Sequence, residues 1–193
     1  MSFSANNVIH KIMLEYLQPY ELAVLHNTHT HQTYCNAAVF GCIEYLQVYR
    51  KNCRDIDYAV SLAAEHDQLD TIAALIKLGA TAKNALHGAI IGGHLTAFRY
   101  VVELKTNIPD HWINIAVEGH HIDILTYIFE HKLYNSRIMN SMFRTAIETK
   151  NIATINHLAT LIAKHARKLN GFITMAQSSG LSDAVKILMN IKK

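Results

Sequence analysis

Hydrophobic residues along this chain recur with a helical period, and the periodic stretches themselves recur. In "AAEHDQLDTIAALIKLGA" paired alanines are followed by polar residues, then by leucine and isoleucine at helical spacing, and the stretch closes on glycine-alanine. The same order returns in "AIIGGHLTAFRYVVEL" and in "AVEGHHIDILTYIFEH". With Leu69 as the zero position, the matching residues are Ile43, Leu95, Ile122, Ile152 and Leu181, at steps of 26, 26, 27, 30 and 29 residues. Six residues before zero stand Ala37, Ala63, Ala89, Ala116, Ala146 and Met175. Three after stand Leu46, Ile72, Phe98, Leu125, Ile155 and Ala184, and six after stand Tyr49, Leu75, Val101, Ile128, Leu158 and Ile187. Positions 0, +3 and +6 share one helical face. Each unit therefore predicts a short helix, a tight turn near −2, and a second amphipathic helix.

The small residues at −6 have a steric reason. Two antiparallel helices joined by a tight turn approach closely beside it, and alanine gives room there without losing helix propensity. The turns read "FGC", "HDQ", "GGH", "GHH", "TKN" and "SSG". These are residue types that accept a left-handed backbone or cap a helix. Glu44, Asp70 and Asp123 at +1 put negative charge in the first turn of the second helix, where the helix dipole favours it.

On these residues the chain resembles an ankyrin-repeat protein. The copy most similar to the family pattern T-P-L-H-x-A-A-x-x-G-H-L-E is Asn84-Ala85-Leu86-His87-Gly88-Ala89-Ile90-Ile91-Gly92-Gly93-His94-Leu95-Thr96, and Gly79-Ala80 matches the close of the family's second helix. The resemblance covers roughly 34–193. It implies an all-α, ankyrin-like solenoid of about six stacked helix-turn-helix units. The family unit is about 33 residues, so the shorter steps here predict plain loops where a β-hairpin finger would be. The T-P dipeptide is absent throughout. Such short arrays resemble those of large DNA viruses, amoebae and their intracellular bacteria; in a virus or intracellular bacterium the protein would act as a host-directed effector.

Residues 1–33 form a separate expectation, an N-terminal helical cap of the kind that closes the open end of a solenoid. The segment also resembles an F-box, which docks on the Skp-type linker of cullin ubiquitin ligases. The frame falls on Ile9, Met13, Leu14, Leu17, Glu21, Leu22 and Leu25, with Pro19 at the helix boundary. The usual leucine-proline start and later tryptophan of that family are missing. A working F-box would make the protein a substrate adaptor.

Composition narrows the function. The chain has 193 residues, half of them hydrophobic and 17% charged, which suits a folded domain. The net charge of +3 is too small to imply nucleic acid, and the basic residues are not interleaved with aromatics. Every apolar run is short and interrupted, so no membrane span is expected. "MSFSANNVIHKIM" has no signal-peptide core. Three cysteines, Cys35, Cys42 and Cys53, suggest a reducing, cytoplasmic setting. Of 13 histidines, the densest group is His26, His29 and His31 with Cys35. It offers zinc-ligand types but lacks a second ligand pair at finger spacing, so turn histidines are the expectation and no metal or cofactor is assigned. No nucleophile elbow, P-loop, HExxH or paired-carboxylate motif is present, and no enzyme activity is expected.

What remains is protein binding. In ankyrin proteins the −4 and −3 positions look into a concave groove. Carried over, they include Phe40, Glu65, His66, Ile91, Glu118, Glu148, Thr149, Gln177 and Ser178. Glutamate or glutamine at −4 in four of six units predicts an acidic row, either a solvated helix face or a groove suited to a basic partner segment.

Overall fold

The structure is a computed structural model that describes residues 29–164 and 169–191. Within them lie twelve α-helices: α1 (His31–Val39), α2 (Ile43–Val48), α3 (Ile56–Glu65), α4 (Leu69–Lys77), α5 (Ala82–Gly92), α6 (Leu95–Glu103), α7 (Asp110–Glu118), α8 (Ile122–Glu130), α9 (Ser136–Glu148), α10 (Ile152–Lys164), α11 (Asn170–Ser178) and α12 (Ser182–Ile191). A single 3-10 turn, Arg50–Asn52, follows α2, and no strand occurs among the described residues. The protein is all-α. No described helix is long and apolar enough to cross a membrane.

Packing follows chain order. Each odd-numbered helix pairs with the even-numbered helix after it. The odd helices also pack in sequence from α1 to α11, and the even helices from α2 to α12. The result is two layers of helices, with every substantial contact inside a unit or between neighbouring units. The buried residues form a continuous core between the layers.

The tight turn is the same in all six units. The N–H before the second helix donates to an alanine carbonyl six positions before that helix: Cys42 to Ala37, Gln68 to Ala63, His94 to Ala89, His121 to Ala116, Asn151 to Ala146 and Leu181 to Ala176, at 2.9–3.1 Å. One residue in each turn has a left-handed backbone: Gly41, Asp67, Gly93, His120, Lys150 and Gly180. This is the helix-ending pattern in which a left-handed residue lets the next N–H reach back to a free carbonyl. All six alanines are fully buried.

That geometry corrects the last unit. Its second helix starts at Ser182, one residue after the expected Leu181. Ala176, not Met175, is the small residue beside the turn, and Leu188, fully buried, takes the place expected for Ile187. The reason is turn chemistry. In Ser178-Ser179-Gly180 only the glycine adopts a positive φ at little cost, so the turn is anchored there, at φ 71°. Leu181 fits the zero position by apolar character alone, which is why the residue pattern points to it.

The first unit begins earlier than the 34–193 boundary. Thr30 caps α1, accepting from the Thr33 N–H, while the Thr33 hydroxyl accepts from the Thr30 N–H at 2.9 Å. The F-box-like positions Ile9, Met13, Leu14, Leu17, Pro19, Leu22 and Leu25, and the cap expected over 1–33 up to residue 28, lie outside the described residues.

Candidate functional site

Stacking of the odd helices brings their C-terminal ends into one row. Between α3 and α5 the helices are parallel and in direct backbone contact: a Cβ on Gly88 would overlap the Ser61 carbonyl, and one on Gly92 the Glu65 carbonyl. Between α5 and α7, His121 Nε2–H donates to the Ile91 carbonyl at 3.2 Å. Its ring fills the space beside Gly93, where a side chain would collide with it. Between α7 and α9, Asn114 Nδ2 donates to Ser141 Oγ at 2.8 Å, and Arg137 pairs with Asp110 at 2.6 Å. These contacts fix the offset of neighbouring odd helices at 27 residues, both between α3 and α5 and between α7 and α9.

Along this row the structure places the expected residues as follows. Phe40 is 49% exposed and Ile91 39%. His66, Glu118, Glu148 and Thr149 are exposed, and Glu65 is half-buried. With the last unit re-registered, Ser178 and Ser179 stand at −4 and −3; Gln177 moves to −5 and leaves the row. The acidic −4 residues are therefore Glu65, Glu118 and Glu148, in the second, fourth and fifth units.

Most carboxylates near the turns have a folding role. Glu44, Asp70, Asp123 and Asp183 lie in the first turn of an even helix, where the dipole favours them. Asp67 Oδ1 accepts the Ala97 N–H at 3.1 Å and so caps α6 from the preceding unit. Glu65, Glu118 and Glu148 differ. Each is the last residue of its helix, where the dipole opposes a negative charge. None has an ion-pair partner among the described residues; Arg144, one helical turn before Glu148, makes none with it. The only lysine or arginine in the turns and their flanks is Lys150. A chain of net charge +3 thus carries an acidic edge.

The histidine-cysteine group resolves into packing contacts. His29 stacks on Tyr49 with centroids 3.7 Å apart and meets the Tyr45 hydroxyl at 3.0 Å. His31 lies 3.8 Å from Cys35 Sγ and 3.9 Å from Cys53 Sγ. His26 is outside the described residues, among which no three His, Cys, Asp or Glu side chains converge to hold a metal ion. Burial pushes the Cys35 thiol up to about 12, with Cys53 and Asp55 adding to it. A nucleophilic cysteine needs the opposite shift.

Two further features were not legible in the residue pattern. Thr126 donates to the Ile122 carbonyl at 2.8 Å and accepts from His157 Nε2–H at 2.8 Å, joining α8 to α10. An open trough of about 430 Å³ between α6 and α8 is lined by Arg99, Glu103, Asp123, Tyr127 and Glu130, with the Arg99 guanidinium 5.9 Å above the Tyr127 ring.

No family model matches the chain, and no curated protein is significantly similar to it in sequence.

Proposed function

We propose that the protein is a non-catalytic scaffold of ankyrin-like units that binds a basic segment of a partner protein along the ends of its odd helices. One observation carries this reading: Glu65, Glu118 and Glu148 occupy the same position of three units, without an ion-pair partner among the described residues, where the helix dipole disfavours them. Local rules are broken where function requires it. Opposite charge on a partner would relieve the conflict and steer its approach. The ankyrin-like description draws support from six units in phase, each with a buried alanine and the same left-handed turn. It also draws on His121, a turn histidine bracing the neighbouring unit.

The test is a triple charge reversal, Glu65→Lys, Glu118→Lys and Glu148→Lys, in the full chain. A labelled oligolysine peptide serves as the probe, followed by fluorescence anisotropy. Wild type is expected to bind it despite its own positive charge, and the triple variant to lose binding. Because lysine suits a helix C-terminus, the variant is expected to melt at the same temperature or higher. Unchanged affinity in the folded variant sinks the assignment.

A further inference from the structure

We propose that Cys35 and Cys53 are an oxidation site: a peroxide converts the two thiols to a disulfide, with the Tyr34 hydroxyl holding the oxygen transferred to Cys53. The site lies in the first unit and is independent of the binding face proposed above.

Two sulfurs meet at one imidazole. His31 opens α1, and its Nδ1 lies 3.8 Å from Cys35 Sγ, one helical turn on, and 3.9 Å from Cys53 Sγ. Cys53 follows the 3-10 turn Arg50–Asn52 and precedes α3, outside any helix. Forming a disulfide, with its sulfurs about 2 Å apart, therefore moves a connecting segment and no helix. Tyr34 supplies a second observation. Its side chain is fully buried, and its hydroxyl has no hydrogen-bond partner among the described residues. A buried polar group left in that state is costly. The charges that act on this hydroxyl come from Cys53, Arg50 and Cys35, so it stands among them. An oxygen bound to the Cys53 sulfur would give the O–H the acceptor it lacks.

The two cysteines are not equivalent. Burial raises both thiols above their ordinary range, Cys35 to about 12. At Cys53 the Asp55 N–H and the Arg50 guanidinium pull back against that burial and against the Asp55 carboxylate. At Cys35 the neighbouring Cys53 and Asp55 only add to the rise. Cys53 is therefore the thiol that reacts first, and Cys35 the one that resolves it. Both rest as thiols, so oxidation is slow and waits for abundant peroxide. Cys53 gives its proton to His31 Nδ1, and the thiolate attacks one peroxide oxygen. The O–O bond breaks, the departing hydroxide takes the proton from His31 as water, and Cys53 becomes a sulfenic acid. The Cys35 sulfur then attacks that of Cys53. The S–S bond forms, the S–O bond breaks, and hydroxide leaves with the Cys35 proton as a second water. Two electrons pass from the two thiols to one peroxide.

The experiment treats the reduced full chain with hydrogen peroxide, blocks the remaining thiols with an alkylating agent and maps the product by mass spectrometry. Cys42 is the internal control, being half-buried where Cys35 and Cys53 are buried. The expected product is a Cys35–Cys53 disulfide with Cys42 alkylated. Recovery of Cys35 and Cys53 as thiols, whether or not Cys42 has been oxidised, overturns the site. In Cys35→Ser, dimedone is expected to trap a sulfenic acid on Cys53. Trapping only on Cys35, in Cys53→Ser, overturns the order of the two thiols. Tyr34→Phe keeps the buried ring and is expected to slow disulfide formation by peroxide about tenfold, the worth of one hydrogen bond to a charged oxygen. With dithiodipyridine, a disulfide oxidant that transfers no oxygen, its rate is expected to match wild type. Equal slowing with both oxidants, or slowing with neither, overturns the role of Tyr34.

Discussion

A methyl group at residue 88 would overlap the Ser61 carbonyl oxygen, because α3 and α5 touch there through their backbones. The shape of that contact leaves room for hydrogen and nothing larger. Gly88→Ala is therefore expected to cost about 1–3 kcal/mol, despite the better helix propensity of alanine, as backbone and neighbours shift to relieve the clash. Urea unfolding measures it; a neutral result would show that the two helices can separate freely. The opposite sign is expected at Lys150. This exposed residue holds φ 54°, a left-handed conformation that costs a side-chain-bearing residue about 1–2 kcal/mol. Lys150→Gly should recover part of that cost, about 0.5–1 kcal/mol after the added chain entropy of glycine is deducted. A loss of stability would mean that the lysine side chain makes a contact worth more than the strain.

At the scale of the element, the unit is defined by a buried alanine whose carbonyl receives the N–H closing the turn. That alanine is fully buried, so volume added there acts as a wedge between the two helices. Ala63→Leu and Ala89→Leu should each lower stability by about 1–3 kcal/mol through overpacking. The last unit offers a sharper test, because two registers compete for it. Ala176 is fully buried beside the turn, while Met175 is half-buried. Ala176→Leu is expected to cost the same about 1–3 kcal/mol, and Met175→Leu less than about 1.5 kcal/mol as a swap of similar volume. Thermal melts of the two variants decide between the registers. The reverse order would restore Leu181 as the start of α12's pattern.

For the whole molecule, stability is the sum of units and the joints between them, and several joints use histidine. His121 meets the Ile91 carbonyl with His120 and His94 nearby, and burial depresses its titration, which both neighbouring histidines reinforce. His157 faces Thr126, Asp123 and Lys164; burial again lowers it, Asp123 opposes and Lys164 adds. Both stay neutral in the fold at pH values where the unfolded chain has taken up protons. The unfolded state then binds more protons, so stability rises with pH in that window. Equivalently, stability is complete above the ordinary value of 6.5 and is lost as pH falls toward the depressed values. Asp57, lowered overall by hydrogen bonds from Thr81 and Asn84 that outweigh its burial, adds a loss of the same sign at more acidic pH, below its ordinary 3.8. The melting temperature is expected to decline from pH 7 to pH 5. His157→Gln, which keeps a donor toward Thr126 and does not titrate, should flatten part of that decline. An unchanged slope in the variant would remove His157 from the account.

The sequence by itself determined the period, the helix pairs and the core. Apolar side chains must be buried, and only one helical face per element carries them, so spacing alone identifies Ile72, Leu75, Phe98 and Val101 as interior. It also determined two of the six turns by residue type, since Gly41 and Gly93 announce a left-handed backbone. It did not determine the last register, where two serines and a glycine offer three places to turn and only the hydrogen bond from Leu181 to Ala176 selects one. Nor did it show which carboxylates fold the chain and which are spare. Asp67 and Glu65 are two residues apart and look alike in sequence; one caps a helix in the next unit, and the other ends its own helix with no ion-pair partner among the described residues. That difference belongs to residues about thirty positions away in the chain. Contacts between units form only once the helices have stacked, so no local pattern records them.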